Sequence, residues 1–338
     1  MTMRRQKRDS REALPPLETG TLCTRDGHRV SYAVAGAPDG VPVAVLHGGP
    51  GSGSQPGVLR LFDLSRFRVV LIDQRGTGAS TPHGSVRHNR TDYLIADLEL
   101  IRARLGFARW GVLGGSWGAA LALAYAGQCP QSVSGVVMRG LFLTSAREMR
   151  GLFVTSRRRA PRAWARLRAA AGCEQPEGLA DRCAESLQRG ANEARQRALA
   201  LAWRGYEDAV LASAASRRAV QPCTRNAPRH ARQLIDKYRI QAHYLAHRCW
   251  LGETRLLSLA RRAAAAGVPL AAVHGARDPV CPPDNLRRFA RAVPAAQIER
   301  VNAGHLASDP ALHERVAHAL AAMFIPTIQE GRTMRRAA

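Results

Sequence analysis

Lysine is almost missing from this 338-residue chain: Lys7 and Lys237 are the only two among 50 basic residues. Aromatic residues make up only 5%, and no stretch approaches the roughly 18 consecutive apolar residues of a membrane span. Seven cysteines, Cys23, Cys129, Cys173, Cys183, Cys223, Cys249 and Cys281, contain no C-x-x-C pair. An odd number without that spacing is neither a disulfide framework nor a zinc site, so a reducing cytoplasm is the expected setting. Residues 1–11 are basic, but Glu12, Pro15, Pro16 and Glu18 stand where a signal peptide needs an apolar run.

Acidic residues are scarce as well, 26 against 50 basic, for a formal charge of +24. Such a field attracts phosphate backbones. The arginines, however, are scattered through Ala-rich helical segments with no interleaved aromatics and no helix-turn-helix, zinc or RNA-binding signature. The expectation is a solvated basic surface with no specific nucleic-acid partner and no membrane partner, one that also tolerates an acidic peptide. Hydrophobic residues at 46% support a sizeable core.

Short β-branched runs at 43–46, 68–72, 111–113 and 133–138 alternate with glycine turns and with helical spacing at 93–105 and 117–126. That order predicts an α/β fold with a parallel sheet covered by helices on both faces. From 145 to 266 strands vanish and Ala, Arg, Leu and Glu dominate, broken at Pro161, Pro176, Pro222 and Pro228. Strand patterns resume at 268–274 and 297–301 before a closing helix at 311–324. The expected organisation is a core of residues 15–144 and 267–326, an all-helical cap over 145–266, and basic tails at 1–14 and 327–338.

Chemistry concentrates in the turns after the strands. Gly114-x-Ser116-x-Gly118 follows an apolar run and precedes a helix, the context in which a serine on a strained strand-to-helix turn lifts its hydroxyl above the sheet. His47-Gly-Gly-Pro-Gly51 follows an earlier strand. In an α/β-hydrolase fold that loop supplies one oxyanion-hole amide, here assigned to Gly49, and the residue after the nucleophile, Trp117, supplies the other. Gly48 is expected against the substrate. A nucleotide loop is excluded because Gly51-x-Gly53 lacks a third glycine and no G-K-[ST] follows.

A serine hydroxyl needs an imidazole to take its proton and a carboxylate to orient that imidazole. Asp278 and His305, each just beyond a late strand, follow Ser116 in the order serine, acid, histidine. Asp284 and Asp309 are rival acids better read as helix-start and cap residues, and His274 and His47 are rival histidines better read as strand and loop structure. Asp73-Gln-Arg-Gly-Thr-Gly-Ala-Ser80 reads as a supporting turn in which Asp73 and Arg75 tie loops near the site.

Taken in order, H-G-G-P-G, D-Q-R-G-x-G-x-S, G-G-S-W-G-x-x-L-x-L-A-Y-A, G-x-x-D-P-V-C-P and A-G-H resemble the proline iminopeptidase family of serine peptidases, from about Val30 to the C-terminal helix. The resemblance implies an α/β-hydrolase fold with an inserted helical cap, and removal of an N-terminal proline in the cytoplasm with no metal and no cofactor. It also implies cap carboxylates that bind the free amino terminus. Trp203-Arg-Gly-Tyr-Glu207 is similar to the family's W-x-x-W-E and carries that role to Glu207, whose bland alternative is a solvated helix face paired with Arg204 or another arginine. Tyr238-Arg-Ile-Gln-Ala-His-Tyr-Leu245 is similar to A-R-I-E-N-H-Y-F, with Gln241 at the expected glutamate, which keeps an acceptor but no charge. Phe142 matches a position lining the proline pocket, while Arg147-Glu-Met-Arg-Gly-Leu-Phe153 replaces the aromatic stretch that usually follows. Two other functions compete: an esterase or amidase of the same fold acting on a small acyl compound, and a non-catalytic protein that uses its basic surface.

Overall fold

The computed structural model describes residues 16–188, 190–214 and 228–325. Both expected tails, the expected break at Pro222, and Cys223 lie outside the described residues. Eight strands form one sheet: β1 (Glu18–Cys23), β2 (Arg29–Gly36), β3 (Val41–Leu46), β4 (Phe67–Ile72), β5 (Trp110–Gly115), β6 (Val133–Arg139), β7 (Leu270–Gly275) and β8 (Gln297–Val301). They lie in the order β1-β2-β4-β3-β5-β6-β7-β8. The six strands from β4 to β8 run parallel, whereas β1 and β2 pair antiparallel with each other and β2 pairs antiparallel with β4.

Central strands are apolar because both faces are covered. Every residue of β7, Leu-Ala-Ala-Val-His-Gly, is buried, while the edge strand β8 carries Glu299 and Arg300 and is mostly exposed. Helices α1 (Thr91–Arg104) and α2 (Trp117–Gln128) fill the spacing expected of them. Eleven of the twelve α2 residues are buried, so this helix is apolar all round.

Among the described residues, six helices come between β6 and β7: α3 (Ala146–Phe153), α4 (Pro161–Ala171), α5 (Leu179–Ser186), α6 (Glu193–Ala212), α7 (Pro228–Ala246) and α8 (Gly252–Ala265). Helices α4, α5, α6 and α7 pack on one another. Helix α8 instead packs along α2, where a Cβ on Gly127 would meet the Leu259 carbonyl at 2.4 Å. The insertion therefore sends its last helix back onto the sheet layer, a destination that helical spacing alone does not distinguish. Helices α9 (Asp284–Ala292) and α10 (Pro310–Phe324) close the chain.

The register brings the carboxyl ends of the strands into line, with Leu46 opposite Gly114, Gly115 opposite Arg139, Arg139 opposite Val273 and Gly275 opposite Val301. Backbone bonds continue beyond the strand ends. Ser116 N–H donates to the Arg139 carbonyl (2.8 Å), Gly140 N–H to Val273 (3.1 Å), Ala276 N–H to Val301 (2.7 Å) and Arg277 N–H to Ala303 (2.9 Å). The loops carrying Ser116, Phe142, Asp278 and His305 are thus laced together by main chain before any side chain contributes.

Candidate active site

Ser116 lies at the N-cap of α2 with φ 57° and ψ −118°, a conformation that costs a non-glycine residue about 1–3 kcal/mol. Close packing on both sides holds it there. A Cβ on Gly114 would lie 2.2 Å from the Gly118 carbonyl, and a Cβ on Gly118 would lie 2.1 Å from the Leu46 carbonyl. Only glycine fits either place. The Trp117 amide opens α2, where the first N–H groups of a helix have no partner within it.

The His47–Gly51 loop is locked against this turn. The His47 Nδ1–H donates to its neighbour's carbonyl at Gly48 (2.9 Å), and Nε2 accepts from the Gln74 backbone N–H (3.1 Å). The Gln74 side chain then donates to the His47 carbonyl (2.9 Å) and accepts from the Trp117 indole N–H (2.8 Å). Burial lowers the His47 pKa, as suits a neutral structural ring. The Asp73 turn supports the same loop: its carboxylate accepts from the Ser54 N–H and hydroxyl, each at 2.7 Å, and from Ala79 N–H at 2.8 Å. Arg75 makes a bidentate pair with Asp97 (2.6 and 2.8 Å) and a further pair with Asp26 (2.5 Å). Both residues tie loops, as their turn suggested.

On the other side, His305 Nδ1 shares a 2.6 Å hydrogen bond with Asp278 Oδ2, and Asp278 Oδ1 accepts from the amides of Val280 (2.9 Å) and Cys281 (2.8 Å). Burial resists ionisation of Asp278, but the charge of His305, their hydrogen bond, His274 and the Cys281 amide outweigh it, so its pKa lies below the usual carboxylate value. Ser116 Oγ lies 4.0 Å from Cys281 Sγ, and that sulfur, an Asp278 oxygen and a His305 nitrogen lie within 4.8 Å of one another. Burial pushes the Cys281 thiol well up, which keeps it protonated. The rival residues occupy the structural places expected of them. His274 is in β7, Asp284 begins α9, and Asp309 caps α10 by accepting from Ala311 N–H (3.2 Å).

One cavity of about 960 Å³ joins these parts. Gly48, Gly49, Ser116, Phe142, Glu207, Gln241 and His305 all line it, whereas Asp278 and Trp117 are not among its lining residues. On the helical wall, Glu207 differs from expectation in its partner. Arg204 pairs with Asp208 (3.3 Å), while Glu207 Oε2 accepts from Lys237 Nζ (3.1 Å) and the Tyr238 hydroxyl (2.9 Å), and Oε1 accepts from the Gln241 amide N–H (2.6 Å). No motif announced Lys237. Its signals were its rarity and its position four residues before Gln241, which puts both on one face of α7. Arg139 was also overlooked: it lines the cavity and donates to the His305 carbonyl at 2.6 Å.

The sequence profile of the α/β hydrolase fold matches residues 41–311. The proline iminopeptidase of Xylella fastidiosa (strain 9a5c) is 36% identical over 298 residues, covering 87% of this chain and 93% of the relative. The chain belongs to the proline iminopeptidase family. Another member, from Neisseria gonorrhoeae, is 33% identical over 91% of this chain and 97% of its own length. The family's fold is shared more widely. The crystal structure of VinJ aligns with a TM-score of 0.62 at 19% identity, over 92% of this chain and 99% of that one. The esterase RhEst1 from Rhodococcus sp. ECU1013 aligns at 0.56 with 20% identity, over 91% and 98%. Both likenesses concern the fold alone.

All six cysteines among the described residues are free thiols, and no described helix is long and apolar enough to cross a membrane.

Proposed function

We propose that this chain is a serine aminopeptidase that hydrolyses the bond after an N-terminal proline, acting in the cytoplasm. The reading is carried by one observation: a strained serine and a histidine hydrogen-bonded to an acid line the same cavity through Ser116 and His305, in a chain whose relatives are named proline iminopeptidases.

In this mechanism Ser116 Oγ attacks the proline carbonyl while His305 Nε2 takes its proton. Asp278 steadies the imidazolium through Nδ1. The oxyanion is held by the amides of Gly49 and Trp117, and Gly48 gives the backbone close access to it. Collapse of the tetrahedral adduct breaks the C–N bond, and His305 returns the proton to the departing amine. Water, deprotonated by the same histidine, then releases proline from Ser116. Phe142 bounds the ring pocket, and Glu207 with Gln241 faces the imino nitrogen. The proposed division of labour makes residues 15–144 and 267–326 the catalytic domain and 145–266 the cap.

An esterase or amidase acting on a small acyl compound is the second reading, favoured by the internal pairing of Glu207. A panel of aminoacyl anilides against their N-blocked equivalents separates the two. The peptidase releases proline from proline anilide, and Ser116→Ala abolishes the release. Turnover of simple esters with no proline release at any pH would overturn it.

A further inference from the structure

The helical side of the cavity holds an internal cation where the family resemblance calls for a substrate's ammonium group. Lys237 Nζ is 3.1 Å from Glu207 Oε2 and 4.6 Å from the centre of the Tyr238 ring. With Tyr238 and Gln241 also donating, both oxygens of Glu207 have partners within the chain. Charge elsewhere on the wall does not restore an attraction for cations. The lining contains Arg60, Arg139 and Lys237 against Glu207 and Asp208, and Asp208 already pairs with Arg204.

Gln241 supplies the second observation. Its residue is 5% exposed, it lines the cavity, and its Oε1 is a buried acceptor with no hydrogen-bond partner. The orientation of the amide is forced: Glu207 as a carboxylate accepts only, so the NH2 must face it and the oxygen must face away. An orphaned buried carbonyl costs about 1–3 kcal/mol until a donor reaches it. The place is also firmly held with respect to Ser116. A Cβ on Gly51, in the oxyanion loop, would lie 2.5 Å from the Lys237 carbonyl, so α7 and that loop are in direct contact.

We infer that Lys237 determines specificity by neutralising Glu207, so that the site favours acyl groups whose nitrogen is an uncharged N–H donor, received by Gln241 Oε1, over those with a free ammonium. The five-membered lactam of a pyroglutamyl group fits this chemistry. It has a ring of the same size as proline's, one neutral N–H for Gln241, and a ring carbonyl that accepts from an ammonium such as that of Lys237. The inference rests on the serine-peptidase reading above, keeps its reaction at the acyl carbonyl, and extends its substrates from a free N-terminal proline to a neutral five-membered lactam. It adds no step: the ester-like intermediate on Ser116 and its hydrolysis are unchanged.

The test measures kcat/KM of the full chain for pyroglutamyl anilide and proline anilide, in the wild type, Lys237→Met and Gln241→Glu. Labelling of Ser116 by a fluorophosphonate reports that each variant is folded. The wild type is expected to turn over pyroglutamyl anilide at least as well as proline anilide. Each variant is expected to shift the ratio toward proline by about tenfold, chiefly through KM, because each gives the ammonium an unopposed carboxylate. Proline release with no pyroglutamyl turnover, or with a ratio that neither variant moves, overturns the inference and leaves the peptidase reading intact. Release from neither anilide by any form, with Ser116 still labelled, overturns both.

Discussion

The two ends of the cavity are built in different ways. At the sheet end, Ser116, Asp278 and His305 stand on short loops whose main chains are hydrogen-bonded to one another beyond the strands. At the helical end, Glu207 on α6 meets Lys237 and Gln241 on α7 through side chains alone. Backbone lacing tolerates little variation in which residue does the chemistry, whereas paired helices can exchange partners across their seam without disturbing the frame. The construction of one end fixes the reaction type, and side-chain pairing at the other sets the substrate choice.

Substitutions at the sheet end should lower the rate for every substrate. Ser116→Ala is expected to reduce kcat by about a millionfold for anilides and esters alike, read by burst and steady-state kinetics. Asp278→Asn should cost about 10,000-fold, because the amide oxygen stays on the Val280 and Cys281 N–H groups and a donating NH2 faces His305 Nδ1, which forces the wrong tautomer. A loss confined to one substrate class would break the comparison.

At the helical end the first effect should be on stability. Trp203 is 2% exposed, stacks on Tyr238 at 4.9 Å and meets Phe153 edge-on at 5.3 Å. Trp203→Ala should cost about 3–5 kcal/mol by urea denaturation, with Ser116 still reactive toward a fluorophosphonate below the transition. Concurrent loss of that labelling would show that the two ends are not separable.

The smallest expected effect is common to both ends. Burial lowers His47 and His274, and burial together with His247 lowers His243 to about 4 from 6.5. The unfolded chain therefore takes up protons that these rings refuse when folded. Their stabilisation is complete above about pH 6.5 and is lost as pH falls through the folded values. The thermal midpoint should decline between pH 7 and 5, before Asp278 and the other depressed carboxylates begin to protonate. A midpoint that rises over that interval would contradict the neutral assignment of all three rings.

Much of this was legible along the chain. The strand-turn-helix around Ser116, the glycines that must stand at 114 and 118, and the order of Asp278 and His305 are consequences of local geometry, since a turn of a few residues either permits the conformation or forbids it. The β-branched runs likewise announced the parallel strands, because a strand covered on both faces must be apolar throughout. The antiparallel β1 and β2 carried a weaker signal: β1 is largely exposed and lacks such a run.

What only the tertiary structure decided is which distant groups meet. Residue order places Glu207 and Gln241 in a helical region, but an amphipathic helix has the same spacing whichever helix it packs against. The pairing of Lys237 with Glu207, 30 residues away, the return of α8 to α2, and the contact between Gly51 and Lys237 depend on how helices settle over the sheet. Local sequence sets the conformation of each segment because backbone sterics act over a few residues. The charge of the substrate pocket is set by long-range packing, which joins groups that no local pattern connects.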